Sequence, residues 1–281
     1  MNRNKLYSLN RIFSRNTLRR VLDKKHDEIY SLAVKEYSLK ESEIDNLSLI
    51  KNIYNDLDKN YRNEYFYKNT LLNKLLLGIH NVNTTTALTE IPVGEAKPDF
   101  VLINGKAVVY EIKTELDNLD RLKTQINEYY KAYDHVSIVT HEKNQVALLK
   151  KIDDIAKPVG VYILQKNKKL KTIRTPEKYS LDLDKKIIFR VLRKTEYENI
   201  ILDYFGELPQ TSQFKYYAAC RELALKIPID IFYEKYLKEL KKRVAINKNY
   251  FDKVPYELKF LVYFMNFKKK DYIKLEKFLR G

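Results

Sequence analysis

Two short apolar runs face each other across Asn104-Gly105: Phe100 to Ile103 before the pair and Ala107 to Tyr110 after it. Asn-Gly between such segments is the strongest short-range signal for a β-hairpin. The pair constrains the fold because loop length decides which side chains share a face of the sheet. A two-residue turn pairs Asp99 with Tyr110 and sends Glu111 to the opposite face. A three-residue loop, closed by Gly105 in a left-handed bulge, shifts the pairing by one and brings Asp99 to the face of Glu111 and Lys113. The odd-length loop is the expectation.

The neighbouring segments extend this hairpin into a sheet. Thr84 to Ile91 has β-type composition, and Leu119, Leu122, Ile126, Tyr129 and Tyr133 then recur at helical spacing. His135 to Thr140 reads as the next strand, and strand, helix, strand in that order implies a crossover that adds a parallel strand. A helix over 145–155 and strands at 159–165 and 170–175 complete the region. Helical periodicity dominates on both sides. Asn63 to His80 forms one helix with Glu64 on its polar edge, while Tyr233, Tyr236, Leu237, Leu240 and Val244 form the buried stripe of another. The expected organisation is a helical extension over 1–60, an αβ core over 61–178 and a basic helical region over 179–281.

Charge and composition narrow the function classes. The 281 residues carry 53 Lys+Arg against 37 Asp+Glu, a net charge of +16. The excess is localised: residues 1–142 hold 21 basic and 20 acidic side chains, 143–178 hold 10 and 3, and 179–281 hold 22 and 14. Such a field suits a polyanion, and nucleic acid is the first partner to consider. Lys235, Lys238 and Lys242 share a helix face and are the candidate phosphate ligands. Cys220 is the only cysteine, which excludes an intramolecular disulfide framework, a Cys-rich zinc site and a four-cysteine cluster. No apolar run approaches a membrane span and no secretory h-region opens the chain, so a cytoplasmic protein with no membrane partner is expected.

The chemistry concentrates in Lys97-Pro98-Asp99 and Glu111-Ile112-Lys113. A carboxylate on one strand with Glu-x-Lys on its neighbour gathers two hard oxygen ligands and one cation at a single point. A Mg²⁺-dependent phosphodiesterase needs this set: the metal lowers the pKa of a water, and the lysine orients or deprotonates it. The competing reading is a cross-strand ion triad, which fits less well in strands otherwise so apolar.

These residues resemble the PD-(D/E)xK nuclease superfamily, down to the literal Pro98-Asp99. The resemblance covers residues 61–175 and implies an α/β, restriction-endonuclease-like mixed central sheet flanked by helices, here with helical extensions at both ends. It implies Asp99, Glu111 and the Ile112 carbonyl as ligands of Mg²⁺ or Mn²⁺, with Glu90 and Glu64 as further candidates, and Lys113 as the water-activating base. Gln125 and Tyr129 look like the Gln-x-x-x-Tyr element of the RecB-type branch, beside the active site and in contact with nucleic acid. Two features depart from the family: the cluster cysteines of some RecB-type nucleases are absent, and no upstream histidine aligns, since His80 sits at a helix end. The implied activity is metal-dependent hydrolysis of nucleic acid, DNA ahead of RNA, in restriction, repair or phage defence. The rivals are a catalytically silent nucleic-acid-binding module and a protein-interaction scaffold, with a protein partner or a second copy as the occupant. Twenty-three tyrosines suit either bases or protein as a partner.

Overall fold

β-branched and aromatic residues from Thr86 onward build one six-stranded sheet: β1 (Thr86–Leu88), β2 (Phe100–Asn104), β3 (Lys106–Ile112), β4 (His135–Thr140), β5 (Val159–Leu164) and β6 (Leu170–Arg174). The strands lie side by side in chain order. β1, β2 and β3 are antiparallel neighbours, β3–β4 and β4–β5 are parallel, and β6 closes the sheet antiparallel to β5. All six residues of β4 are buried, as a central parallel strand covered on both faces requires. β6 is the opposite case, a partly exposed edge whose Lys171 and Arg174 discourage pairing with another chain. The computed structural model describes residues 10–38, 45–79 and 84–281. His80 lies outside them.

The helices are α1 (Arg15–Leu22), α2 (Glu28–Ser38), α3 (Asn46–Asn60) and α4 (Glu64–Leu71), the last running on as a π-type turn through Ile79. After β3 come α5 (Leu122–Tyr130) and α6 (Gln145–Asp153), the crossovers to β4 and β5. Then follow α7 (Lys185–Val191), α8 (Lys194–Phe205), α9 (Gln213–Lys226), α10 (Ile229–Lys241), α11 (Lys248–Phe251), α12 (Lys259–Phe264) and α13 (Lys269–Leu279). No helix among the described residues is long and apolar enough to cross a membrane.

The chain divides into two units, Asn83–Val244 and a second made of Met1–Val82 with Ala245–Gly281. This partition differs from the three consecutive segments expected from sequence: α7 to α10 belong with the sheet, and the two ends of the chain belong together. Within the sheet unit, Val101, Val109, Ile126, Ile138, Leu148 and Tyr236 share one buried cluster, so α5, α6 and α10 all contribute to the core of the strands. Within the helical unit, buried Asn69 ties the ends of the chain. Its amide donates to Tyr54 Oη and to the Tyr256 carbonyl, both at 3.0 Å, and its oxygen accepts from the Phe260 N–H at 3.0 Å. Periodicity shows which face of a helix is apolar but not which helix covers it, so this pairing of ends was not legible.

One buried ion pair stabilises the helices of the sheet unit. Arg243 grips Glu196 through Nε (2.7 Å) and Nη2 (2.6 Å), and Nη2 also donates to the Val191 carbonyl at 2.7 Å. Burial pushes the Glu196 carboxyl up, but the hydrogen bonds from Arg243 and the Arg193 N–H outweigh it and hold the pKa below the usual value. Removing one partner strands the other charge. Arg243→Met is expected to cost about 3–5 kcal/mol in urea unfolding, much of it recovered in the double variant with Glu196→Gln. Because the folded pKa is depressed, this stabilisation is complete above the unfolded carboxylate pKa of about 4.3 and is lost as pH falls through the folded value. Wild type should therefore lose stability below that pH more steeply than the double variant.

Candidate functional site

The hairpin takes the odd register. Ile103 pairs with Ala107 and Asn104 with Lys106, leaving Gly105 at the tip with φ of +71°. Phe100 pairs with Tyr110, so the next position outward sets Asp99 opposite Glu111. Residues two apart in a strand share a face, and Lys113 therefore joins the same side. Asp99 Oδ2 accepts the Ile112 N–H at 2.8 Å, which fixes the end of the hairpin through the backbone of the Glu-x-Lys segment itself.

Glu111 is the centre of the constellation and is only 3% exposed. Its Oε1 accepts from Lys113 Nζ at 2.8 Å and from Gln125 Nε2 at 2.5 Å, and its Oε2 accepts from the Tyr129 hydroxyl at 2.6 Å. Lys113 Nζ also donates to Gln125 Oε1 at 2.8 Å, which fixes the orientation of that amide. Gln125 and Tyr129 stand four apart on α5, one turn of helix, and so reach the same carboxylate. Burial raises the Tyr129 pKa first, with the charge and hydrogen bond of Glu111 next and the charge of Asp99 adding to them. The phenol therefore stays a donor.

Beyond Lys113 the backbone is tied to β4. The Lys113 N–H donates to the Val139 carbonyl at 2.8 Å, and Thr140 Oγ1 donates to the Lys113 carbonyl at 2.7 Å. Thr114 then closes on Asp117, whose Oδ2 accepts from its N–H at 2.7 Å and its hydroxyl at 2.6 Å. On the other side of the hairpin, a tight turn at Gly94-Glu95 sits on α5. The Glu95 N–H donates to Glu128 Oε2 at 3.3 Å, and a Cβ on Gly94, whose φ is +55°, would lie 1.8 Å from that oxygen. Tyr129 Oη also lies 3.1 Å from the Lys97 carbonyl, so this turn and the Pro98-Asp99 approach are anchored to the same helix. Neither Glu128 nor the Lys97 carbonyl is marked by any motif in the sequence. The signal for the turn is Gly94 between the apolar pair Val93 and Ala96.

The structure brings Asp99, Glu111, Lys113, Gln125 and Tyr129 together, and it alters two expectations, the strand placement of Glu90 and the accessibility of Tyr129. Glu90 is not on a strand: β1 stops at Leu88, and Glu90 is exposed with φ of +54°, its N–H donating to the Pro98 carbonyl at 3.0 Å. No three His, Cys, Asp or Glu side chains gather as a metal-binding group among the described residues, so Glu90 does not join the Asp99–Glu111 pair. Glu64 belongs to the helical unit, where it pairs with buried Lys68. Tyr129 has no exposed surface to stack on a base, and its hydroxyl is held by Glu111. The basic stripe is also less free than its spacing suggests. Lys235 pairs with Asp203, Lys238 with Glu234 at 2.8 Å and Lys242 with Glu239 at 2.5 Å.

The donor set fits a small hard cation: two carboxylates and the Ile112 carbonyl are all oxygen ligands. The Lys113 ammonium pairs with Glu111 at 2.8 Å. No curated protein and no solved structure matches the chain significantly. Residues 57–258, most of the chain, match the family model described as bacteriophage P4 protein cII, and the chain belongs to the bacteriophage P4 protein cII family.

Proposed function

We propose that the chain is a divalent-metal-dependent nuclease with a restriction-endonuclease-like core, hydrolysing phosphodiester bonds in nucleic acid, DNA ahead of RNA. The observation that carries this reading is the odd register of β2 and β3, which sets Asp99 opposite Glu111 with Lys113 on the same face. The order of three antiparallel strands, a helix and a parallel strand supports the restriction-endonuclease-like assignment.

Asp99, Glu111 and the Ile112 carbonyl would hold Mg²⁺ or Mn²⁺. The ion supplies Lewis acidity, lowering the pKa of water and offsetting charge that develops on the phosphate. Lys113 Nζ, which donates to Glu111 and Gln125, would orient the attacking water and, once it has given up its own proton, would accept one from it. Gln125 keeps Lys113 and Glu111 in fixed relation through both ends of its amide. Tyr129 orients Glu111 from the other oxygen and excludes water behind it. A role in phage defence or DNA processing accords with a phage-protein family.

A second reading has its own support. Both oxygens of Glu111 already receive donors from the protein, as in a silent, purely structural network. Such a protein would bind nucleic acid or another protein on the same fold. Cleavage of labelled single- and double-stranded DNA and RNA separates the two readings. Cutting with Mg²⁺ or Mn²⁺, abolished by EDTA and reduced about 10²–10⁴-fold in Lys113→Ala, is the expected result. Binding that falls with salt but ignores metal, with no cutting under any condition, would establish the silent module.

The basic stripe is tested separately. Changing Lys235, Lys238 and Lys242 together to Ala should weaken DNA binding and flatten the plot of log affinity against log salt by about 0.9 for each phosphate no longer neutralised. An unchanged slope would move the DNA-binding surface to residues 143–178, where ten basic side chains face three acidic ones.

A further inference from the structure

The tip of the hairpin lines a cavity of about 500 Å³ within the sheet unit, where Ile103 and Gly105 meet α10 and residues 178–183. Ile103 is four residues from Asp99 on the same face of β2, so this cavity opens about 13 Å along the strand from the carboxylates. Its volume falls in the range of small-molecule sites.

The walls are apolar, from Ile103, Leu183, Ile229 and Leu237. Against them stands a built polar group. Asp134 is 4% exposed, and its Oδ1 accepts from the Tyr233 hydroxyl at 2.8 Å and from His135 Nδ1 at 2.9 Å. The Asp134 N–H donates back to Tyr233 Oη at 3.0 Å, so the tyrosine and the aspartate hold each other rigidly. Burial pushes the Asp134 carboxyl up, but the hydrogen bonds from His135 and Tyr233 outweigh it and keep it ionised. Three lysines and two further acids also line the space. Glu234 pairs with Lys238, and Asp230 sits in the first turn of α10, where a negative charge is favourable. Lys178 and Lys241 are left as the two lining cations without a carboxylate partner among the described residues. A ligand matching all of this has an apolar body, hydrogen-bond donors for a carboxylate and an anionic group for two ammoniums.

We propose that this cavity binds a nucleoside phosphate, with its base against the apolar walls, its hydroxyl or amino donors at Asp134 and its phosphate at Lys178 and Lys241. The same chemistry is offered by a free nucleotide and by the phosphorylated end of a strand. The proposal does not rest on cleavage at Lys113, because binding is measured without metal and without turnover.

The test is calorimetric titration of the full chain, in EDTA, with nucleoside 5′-monophosphates, the matching nucleosides, inorganic phosphate, and short oligonucleotides with 5′-phosphate or 5′-hydroxyl ends. Wild type is expected to bind a monophosphate at least tenfold more tightly than its nucleoside or inorganic phosphate. Lys178→Ala with Lys241→Ala should weaken it tenfold or more and remove the preference for the phosphate. Leu183→Trp, which fills the cavity, should abolish binding, and the paired lysine variant decides the matter should that packing change prevent folding. Tighter binding of the 5′-phosphorylated oligonucleotide identifies a strand end as the ligand, and binding of the mononucleotide alone identifies a free nucleotide. No binding of any phosphate by wild type, or equal binding by the lysine variant, would overturn the proposal.

Discussion

Gly105 sits in the left-handed region because a three-residue connection between right-twisted strands needs one residue there, and glycine adopts it without a steric penalty. That conformation fixes the parity of the hairpin, and parity fixes which side chains share a face. In the odd register, Asp99 and Glu111 face each other and share the side covered by α5. In the even register Asp99 would leave that face, and its charge would no longer add to that of Glu111 beside Tyr129. The sheet would lose little hydrophobic burial in the exchange, since both faces of β2 and β3 are apolar. The carboxylate pair is therefore the feature that parity decides.

Glu111 shows how a charge survives under 3% exposure. An isolated buried carboxylate is costly, and here three donors, Lys113, Gln125 and Tyr129, replace its water, the first of them also supplying the countercharge. The same four side chains lock α5 to β3, so the arrangement that poises the carboxylate also holds the helix in place. The structural role of these residues and the chemical role proposed for them overlap, which is why stability and cleavage have to be measured apart.

The parts of the site that were legible in sequence are those set by local geometry. Asn104-Gly105 announced the hairpin, Glu-x-Lys put two side chains on one face, and a four-residue interval put Gln125 and Tyr129 on one side of a helix. What sequence could not show depends on distant partners or on where a strand stops. Lys235 is answered by Asp203, thirty-two residues away. Glu90 looked like a strand residue because Thr84 to Ile91 has β composition, yet pairing ends at Leu88 and the backbone turns left-handed. Tyr129 satisfied two patterns at once, a core stripe and a nucleic-acid contact, and only its burial separates them.

Gly94 and Glu128 come from different parts of the chain and leave no room between them. A larger residue at position 94 would have to meet both the left-handed backbone and the carboxylate beneath it. A shorter acceptor at position 128 would relieve the second conflict while abandoning the turn it holds. Among the natural sequences of this family the two positions should accordingly covary, with glycine at the first wherever a long acidic side chain occupies the second. Such a statistical trace would report the docking of the turn on its helix with no structure in hand.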